Sequence, residues 1–132
     1  MTDSVVRGRL FWSQFAVLCV IGIVDVYANI HFLYWEYRWL DIPVHFLGGL
    51  WVALAVLWLS YVVKRPLLSI AATIALVLFV GVVWEVYEYF FVIIHFDNYV
   101  FETGKDLCMD VLGGSAGALV AKLLGHTKVS YE

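Results

Sequence analysis

Apolar residues in this chain are gathered into four long segments instead of alternating with polar ones. The segments cover residues 10–33, 43–63, 67–94 and 107–124. Each is close to the ~20 residues that a helix needs to cross the hydrocarbon core of a bilayer. The pattern therefore predicts an all-α fold, a polytopic four-transmembrane-helix bundle that takes up residues 1–132 as one domain.

Short polar stretches separate the four segments. Residues 34–42 are aromatic and charged, residues 64–66 form a basic turn, and residues 96–106 contain the Gly and Asn of a loop. A basic flank precedes the first segment, as in a signal peptide, but the apolar run is long and no small-residue cleavage site follows it. We expect this segment to be retained as the first helix.

Composition supports the same class of protein. Hydrophobic residues make up 64% of the 132 residues and charged residues only 14%. A soluble domain of this size could not bury so much apolar surface, so we expect an integral membrane protein whose main partner is the lipid bilayer. The net charge of −3 gives no sign of a nucleic-acid partner. Two cysteines, Cys19 and Cys108, are too few for a disulfide scaffold.

The basic residues predict the orientation of the helices. Two of them, Arg38 and Lys105, fall on one side of the membrane in the four-helix topology. The other side receives Arg7, Arg9, Lys64, Arg65, Lys122 and Lys128. Since basic residues accumulate on the cytoplasmic side, both termini are predicted to be cytoplasmic.

Acidic residues are placed so that this topology brings them to one depth, near the outer side. Three of the four helices contribute a polar pair spaced i,i+4, and the third helix contributes a pair spaced i,i+3, so each pair shares a helix face. The pairs are Asp25 with Asn29, Asp41 with His45, Glu85 with Glu88, and Asp106 with Asp110. An ionised carboxylate within an apolar segment is costly to bury, and such residues are functional candidates by default.

A divalent cation would compensate these gathered negative charges. Oxygen-rich ligation with one imidazole suits Mn, Mg, Fe or Zn. We predict that His45, Glu85, Glu88 and Asp110 form the centre of a metal site and take part in its chemistry. Asp41 and Asp106 are predicted as direct ligands or as their supporting neighbours, and Asp25 as a further ligand.

Simpler roles stay open for several of these residues. Asp41 is well placed as a helix N-cap, and Thr103 to Asp106 resembles a capping box. His45 alone could be a hydrogen-bonded core histidine. Asp25 could be a protonated partner of Asn29.

Glycines predict where two helices approach each other closely. Gly113 and Gly117 form a small-xxx-small pair below Asp110, and Gly48 and Gly49 follow His45. We expect these residues to bring the second and fourth predicted helices near enough for their acids to share a ligand.

Three motifs carry a family resemblance: DIPVHFLGG at 41–49, WEVYE at 84–88 and DLCMDVLGGSAGA at 106–118. They resemble the YjdF-type bacterial inner-membrane proteins and, more distantly, the VanZ-like proteins. Ile42 and Gly114 stand where VanZ-like motifs have Lys and Asn, and Glu88 is closer to the YjdF type. The resemblance implies a multi-pass protein of the prokaryotic cytoplasmic (inner) membrane, and it implies no particular reaction.

Three functions fit this site. The first is a metal-dependent hydrolase or transferase that acts on a lipid or envelope substrate, in which Arg38 and Lys105 would meet an anionic group. The second is binding or transport of a divalent cation or protons, and transport would require a homodimer because four helices leave little room for a path. The third is a structural subunit whose acids are hydrogen-bonded to one another.

The orientation can be tested with single cysteines placed in a background without the two native ones. A cysteine near Asn98 should react with an impermeant reagent added from outside, and one near Lys64 should not, because the basic residues favour the cytoplasmic side. The reverse labelling would contradict the predicted topology and the outward location of the site.

Overall fold

The computed structural model describes residues 3–64, 68–91 and 98–124, and within these ranges all regular secondary structure is helical. The four long helices are α1 (Asp3–Ile30), α3 (Asp41–Val62), α4 (Ile70–Phe91) and α5 (Tyr99–Leu123). A short helix α2 (Leu33–Glu36) and a 3₁₀ turn (Arg38–Leu40) connect α1 to α3. The all-α fold predicted from the sequence is thus confirmed.

Three helical segments are long and apolar enough to cross a membrane: Asp3–Ile30, Arg38–Val62 and Ile70–Phe91. Their outer faces expose large apolar side chains such as Ile23, Phe79 and Phe90, which are 70%, 65% and 72% exposed. Exposed apolar surface of this extent fits a lipid environment. The fourth long helix, α5, is less apolar than these three and is not one of the candidate spans.

Helix α5 differs most from the sequence prediction. It begins at Tyr99, so the predicted loop at 96–106 is wrong from Tyr99 onward, and the capping box at Thr103 and Asp106 is excluded because both lie inside the helix. The polar residues in the first turns of α5 interrupt the apolar run of the sequence. Their backbone is nevertheless part of the continuous α-helix. The N-cap position of α3 is Leu40, and Asp41 is the first helical residue, so Asp41 is not the predicted N-cap.

Other predicted boundaries shift by smaller amounts. Helix α1 begins at Asp3 and ends at Ile30, before the predicted end at 33. The predicted first residue of the third span, 67, and its last three, 92–94, lie outside the described residues.

The bundle is built around α3, which contacts α1, α4 and α5. Helices α3 and α5 run in the same direction, because His45 lies beside Asp110 at one end and Leu54 packs in one cluster with Ala121 toward the other. Helices α1 and α4 run the opposite way. The first turns of α3 therefore lie at the same end of the bundle as the last turns of α1 and α4.

Glycines allow α3 and α5 to pack backbone against backbone. A Cβ atom at Gly49 would collide with the backbone of Asp110, and one at Gly113 would collide with the carbonyl of Phe46. A Cβ at Gly117 would lie 2.7 Å from the carbonyl oxygen of Leu50. The close approach predicted from these glycines is confirmed.

The half of the bundle away from the acids has an apolar core. The buried side chains there form two clusters, namely Val6, Leu10, Leu54, Leu57 and Ala121, and Val52, Ala53 and Val77. Two buried hydroxyls in this half, those of Ser60 and Thr73, donate to carbonyls of their own helices. Apolar packing therefore closes this half of the bundle within the described ranges.

Helix approach can be tested by comparing two substitutions in α5. Gly113→Ala should lower the midpoint of thermal unfolding in detergent, since overpacking of this kind costs about 1–3 kcal/mol. Gly104→Ala is the control, because nothing lies within 4 Å of its added Cβ. Alanine is favoured over glycine inside a helix by about 1 kcal/mol, so Gly104→Ala should be neutral or stabilising. Equal unfolding midpoints of Gly113→Ala and Gly104→Ala would contradict the close packing of α3 and α5.

Candidate metal centre

His45 lies at the centre of the acidic residues and is buried, with 5% of its surface exposed. Its two ring nitrogens face different carboxylates. Nδ1 lies 3.3 Å from Oδ1 of Asp110, and Nε2 lies 3.7 Å from Oδ1 of Asp41 and 3.8 Å from Oε1 of Glu85. The structure therefore brings together residues from α3, α4 and α5 around one imidazole.

The contact with Asp110 sets the orientation of the imidazole. A proton on Nδ1 would be donated to Asp110, which leaves the lone pair of Nε2 directed at Asp41 and Glu85. Histidines that bind metals usually have such a carboxylate on the other ring nitrogen, because it fixes the tautomer and the ring plane. Gly81 of α4 makes room for Asp110, since a Cβ there would collide with Oδ2.

Four buried side-chain atoms in this cluster have no hydrogen-bond partner among the described residues: Nε2 of His45, Oε1 of Glu85, Oδ1 of Asp106 and Oδ2 of Asp110. Buried polar atoms in folded proteins are nearly always satisfied, so a group of unsatisfied ones calls for an explanation. Three of these atoms belong to carboxylates and the fourth to an imidazole, which are the ligand types of a hard or borderline divalent cation.

Two sets of potential ligands have the spacing that a cation requires. In the first set, one atom from each of Asp41, His45 and Asp106 lies within 4.8 Å of the others, and the second set joins His45 with Glu85 and Glu88 in the same way. Both sets share His45. The donor chemistry thus fits one cation, or two adjacent ones, next to Nε2.

The predicted site residues take different places around this centre. Asp110 lies behind His45 and contacts its Nδ1, while Asp41 and Asp106 lie in a ligand set. Asp25 is outside both sets: Asn29 and Tyr34 donate to its Oδ1 over 3.1 and 3.0 Å. Burial, together with the neighbouring Asp25, raises the pKa of the Tyr34 phenol, so Tyr34 keeps its proton and donates it.

Three side chains that sequence reasoning missed hold the two glutamates. Thr103 donates to Oε2 of Glu85 over 2.7 Å, and Tyr99 donates to the backbone carbonyl of the same residue over 2.9 Å. Trp84 donates to Oε1 of Glu88 over 2.8 Å. Tyr99 and Thr103 lie at helical spacing before Asp106, a signal that was hidden because this stretch was predicted as a loop.

The two basic residues that were expected to meet an anionic group, Arg38 and Lys105, both pair with Glu102 of α5. Arg38 lies 3.5 Å from Oε1 of Glu102, and Lys105 forms an ion pair with the same carboxylate. Glu102 was not among the predicted site residues. That Arg38 and Lys105 meet an anionic group stays a prediction, and each of them already has an anionic partner within the chain.

A cavity of about 290 Å³ opens beside the cluster. This volume is at the low end of the ~300–1,000 Å³ that is usual for small-molecule pockets. Its walls combine acids with aromatic rings and are formed by Asp25, Asn29, Tyr34, Trp35, Arg38, Asp41, Val44, Trp84, Glu85, Tyr87, Glu88, Tyr89, Tyr99, Glu102, Thr103 and Asp106. Asp41, Glu85, Glu88 and Asp106 line the cavity and are thus accessible to a small molecule, whereas His45 and Asp110 are not among its lining residues.

A family model described as "Predicted membrane protein (DUF2238)" matches residues 9–128. The chain therefore belongs to this family of membrane proteins, and the match includes every candidate ligand. No curated protein and no solved structure matches the chain.

The hydrogen bond between Thr103 and Glu85 offers a test of the site's geometry. Thr103→Val keeps the shape of the side chain but removes the hydroxyl, so the buried carboxylate loses a donor. Such a loss costs about 1–3 kcal/mol, and the midpoint of thermal unfolding in detergent should fall. Thr103→Ser retains the hydroxyl and should be less destabilising. A Val variant as stable as the Ser variant would contradict this hydrogen bond.

Proposed function

We propose that this member of the DUF2238 family binds a divalent cation, Mn, Mg, Fe or Zn, at Nε2 of His45 together with surrounding carboxylates. The observation that carries the proposal is the buried, unpartnered Nε2 of His45, which faces Asp41 and Glu85 while Asp110 occupies Nδ1. Asp106 completes the ligands, Glu88 lies in the second ligand set and is left for the chemistry proposed below, and Asp25 stays a predicted additional ligand.

Electrostatics favours a cation over a cluster of acids alone. Two carboxylates within 4.8 Å of each other repel by on the order of 3 kcal/mol at an effective dielectric constant of ~20. Protonating the acids would relieve the repulsion, as the structural alternative requires, but Asp41 and Glu85 lie 3.7 and 3.8 Å from Nε2 of His45, beyond hydrogen-bond distance. A divalent cation compensates two charges and uses the unpartnered atoms as ligands.

We further propose that the site serves a hydrolase or transferase reaction on a lipid or envelope substrate. A bound cation supplies Lewis-acid polarisation of a phosphoryl or ester oxygen and favours ionisation of water. Glu88 is suited to accept the proton of that water, since it is less buried than Glu85 and lines the cavity, and Trp84 fixes one of its oxygens. Asp110 contacts Nδ1 of His45 and the proposed cation would occupy Nε2, so His45 is assigned to metal binding and not to proton transfer.

Transport of the cation is the less supported alternative. A transporter needs a second exit, and the half of the bundle beyond the site is filled by apolar side chains such as Leu54, Leu57 and Val77 in the described ranges. Its buried hydroxyls are engaged with their own helices. A homodimer would be required to build a path, whereas a cavity with one opening suits a substrate that enters and leaves on the same side.

The location belongs to the same proposal. We place the chain in the prokaryotic cytoplasmic (inner) membrane with the metal site facing outward, as the distribution of basic residues favours. Helix directions support it, since Arg7, Arg9, Lys64 and Lys122 lie at the end of the bundle opposite the acidic cluster. Membership of the YjdF type, rather than the VanZ-like type, is proposed on the motifs alone.

Metal binding can be measured with Mn²⁺ by electron paramagnetic resonance on protein purified in detergent. Glu85→Gln should abolish binding because it removes a ligand charge. Asp110→Asn should weaken it about 10–100-fold, as expected for a residue that orients a ligand. Glu36→Gln is the matched control, since Glu36 is exposed and does not line the cavity. Its affinity should equal that of the unchanged chain.

A chelator should also lower the unfolding temperature of the metal-loaded protein, because ligand free energy is removed and carboxylate repulsion returns. Unchanged melting in chelator, with no Mn²⁺ bound, would overturn the proposal. Turnover of a lipid ester or phosphate that requires Mn²⁺ and Glu88 would support the enzyme. Mn²⁺ flux into liposomes that Glu85→Gln abolishes would favour the transporter.

A further inference from the structure

A second depression, of about 260 Å³, lies between α4 and α5 on the outer surface of the bundle. Its apolar walls are Val82, Val86 and Phe90 of α4 and Leu107 of α5. We name this depression the α4–α5 groove. Since α4 is a candidate membrane span, a bilayer around it would place hydrocarbon at the groove.

The groove shares a wall with the polar cavity. Glu85, Tyr89, Tyr99 and Thr103 line both of them. Hydrogen bonds from Tyr99 and Thr103 to Glu85 fix this wall in place. One side of it thus faces apolar side chains and the membrane, and the other faces the candidate metal ligands.

We propose that the α4–α5 groove holds the alkyl chain of a membrane lipid whose headgroup reaches the metal centre. The inference rests on the proposed function and specifies its substrate as an amphiphile with a hydrocarbon chain. A polar ligand in the groove would lose its hydration and gain few hydrogen bonds, whereas an alkyl chain from the bilayer loses no hydration there and packs against apolar side chains as it does against neighbouring lipids. The bilayer supplies such chains at the depth of α4.

A helix of a second copy of the chain is the other occupant that the bilayer could supply, and the test below distinguishes the two. An alkyl chain is narrow enough to lie along the groove, and the shared wall then brings the headgroup end of the lipid close to Glu85.

The route to the site follows from this arrangement. The lipid would move sideways out of the bilayer between α4 and α5, without leaving the membrane. Its chain would stay against Val86 and Leu107 while its polar end enters the cavity. The closed apolar half of the bundle is no obstacle to this route, because the lipid enters and leaves at the level of the acids.

The groove can be tested by photolabelling in nanodiscs with a phosphatidylethanolamine that carries a diazirine on its acyl chain. Val86→Trp fills the groove, and Val83→Trp is the matched control, because the two valines are 51% and 52% exposed on α4 and Val83 lines neither cavity. Val82→Phe fills the groove in a second way. Mn²⁺ binding is measured on each variant to show that it is folded.

We expect labelling to concentrate on peptides that contain Val82, Val86 or Leu107. Val86→Trp should reduce it about tenfold, which corresponds to ~1.4 kcal/mol, because the indole takes up the space of the alkyl chain. Val83→Trp should leave it unchanged. Three results would overturn the inference. They are labelling spread evenly around the helices, equal loss of labelling in both Trp variants, and cross-links between two copies through Val86. If Val86→Trp still binds Mn²⁺, a failed labelling prediction counts against the groove and not against the metal site.

Discussion

The candidate site depends on the contact between His45 of α3 and Asp110 of α5. This contact requires that the two helix backbones lie closer than most side chains would permit, and Gly49 and Gly113 provide the space by lacking a Cβ. Once Asp110 occupies Nδ1, the other ring nitrogen is directed toward the remaining acids. The close packing of α3 against α5 therefore also determines how the candidate ligands are oriented.

Polarity changes abruptly along the bundle at the level of these glycines. Toward one end the interior contains Asp106, Asp110, Glu85 and His45, and toward the other it contains apolar side chains such as Leu54 and Leu57. Unsatisfied polar atoms in a low-dielectric interior are costly, so they are concentrated where a ligand can reach them. The stability of the apolar half can offset the cost of holding acids together in the polar half.

Helical spacing made most of this arrangement predictable from the sequence. The i,i+4 pairs and the topology brought Asp41, His45, Asp106 and Asp110 to one end of the bundle, and the small-xxx-small pair identified the close helix contact. The role of Asp110 behind His45 was not predictable, since spacing along one helix does not say which nitrogen faces which neighbour.

Other features escaped prediction because the start of α5 was interpreted as a loop. Apolar runs define membrane spans, and a helix that begins with polar residues directed at a site lacks such a run. Tyr99, Glu102 and Thr103 were therefore missed. Glu102 changes the electrostatics most, because it pairs with both Arg38 and Lys105, which a count of charges would have left available to a substrate.

This pairing bears on how a substrate is held. Among the described residues, the cavity is lined by six carboxylates and by one guanidinium, which already lies beside Glu102. An anionic headgroup would be repelled by such walls unless it binds through a cation. An alkyl chain in the α4–α5 groove would instead keep the headgroup beside the cavity, which raises its local concentration there. The proposed cation at His45 and the proposed alkyl chain beside Val86 would divide the binding of headgroup and chain between the polar cavity and the groove, which share a wall.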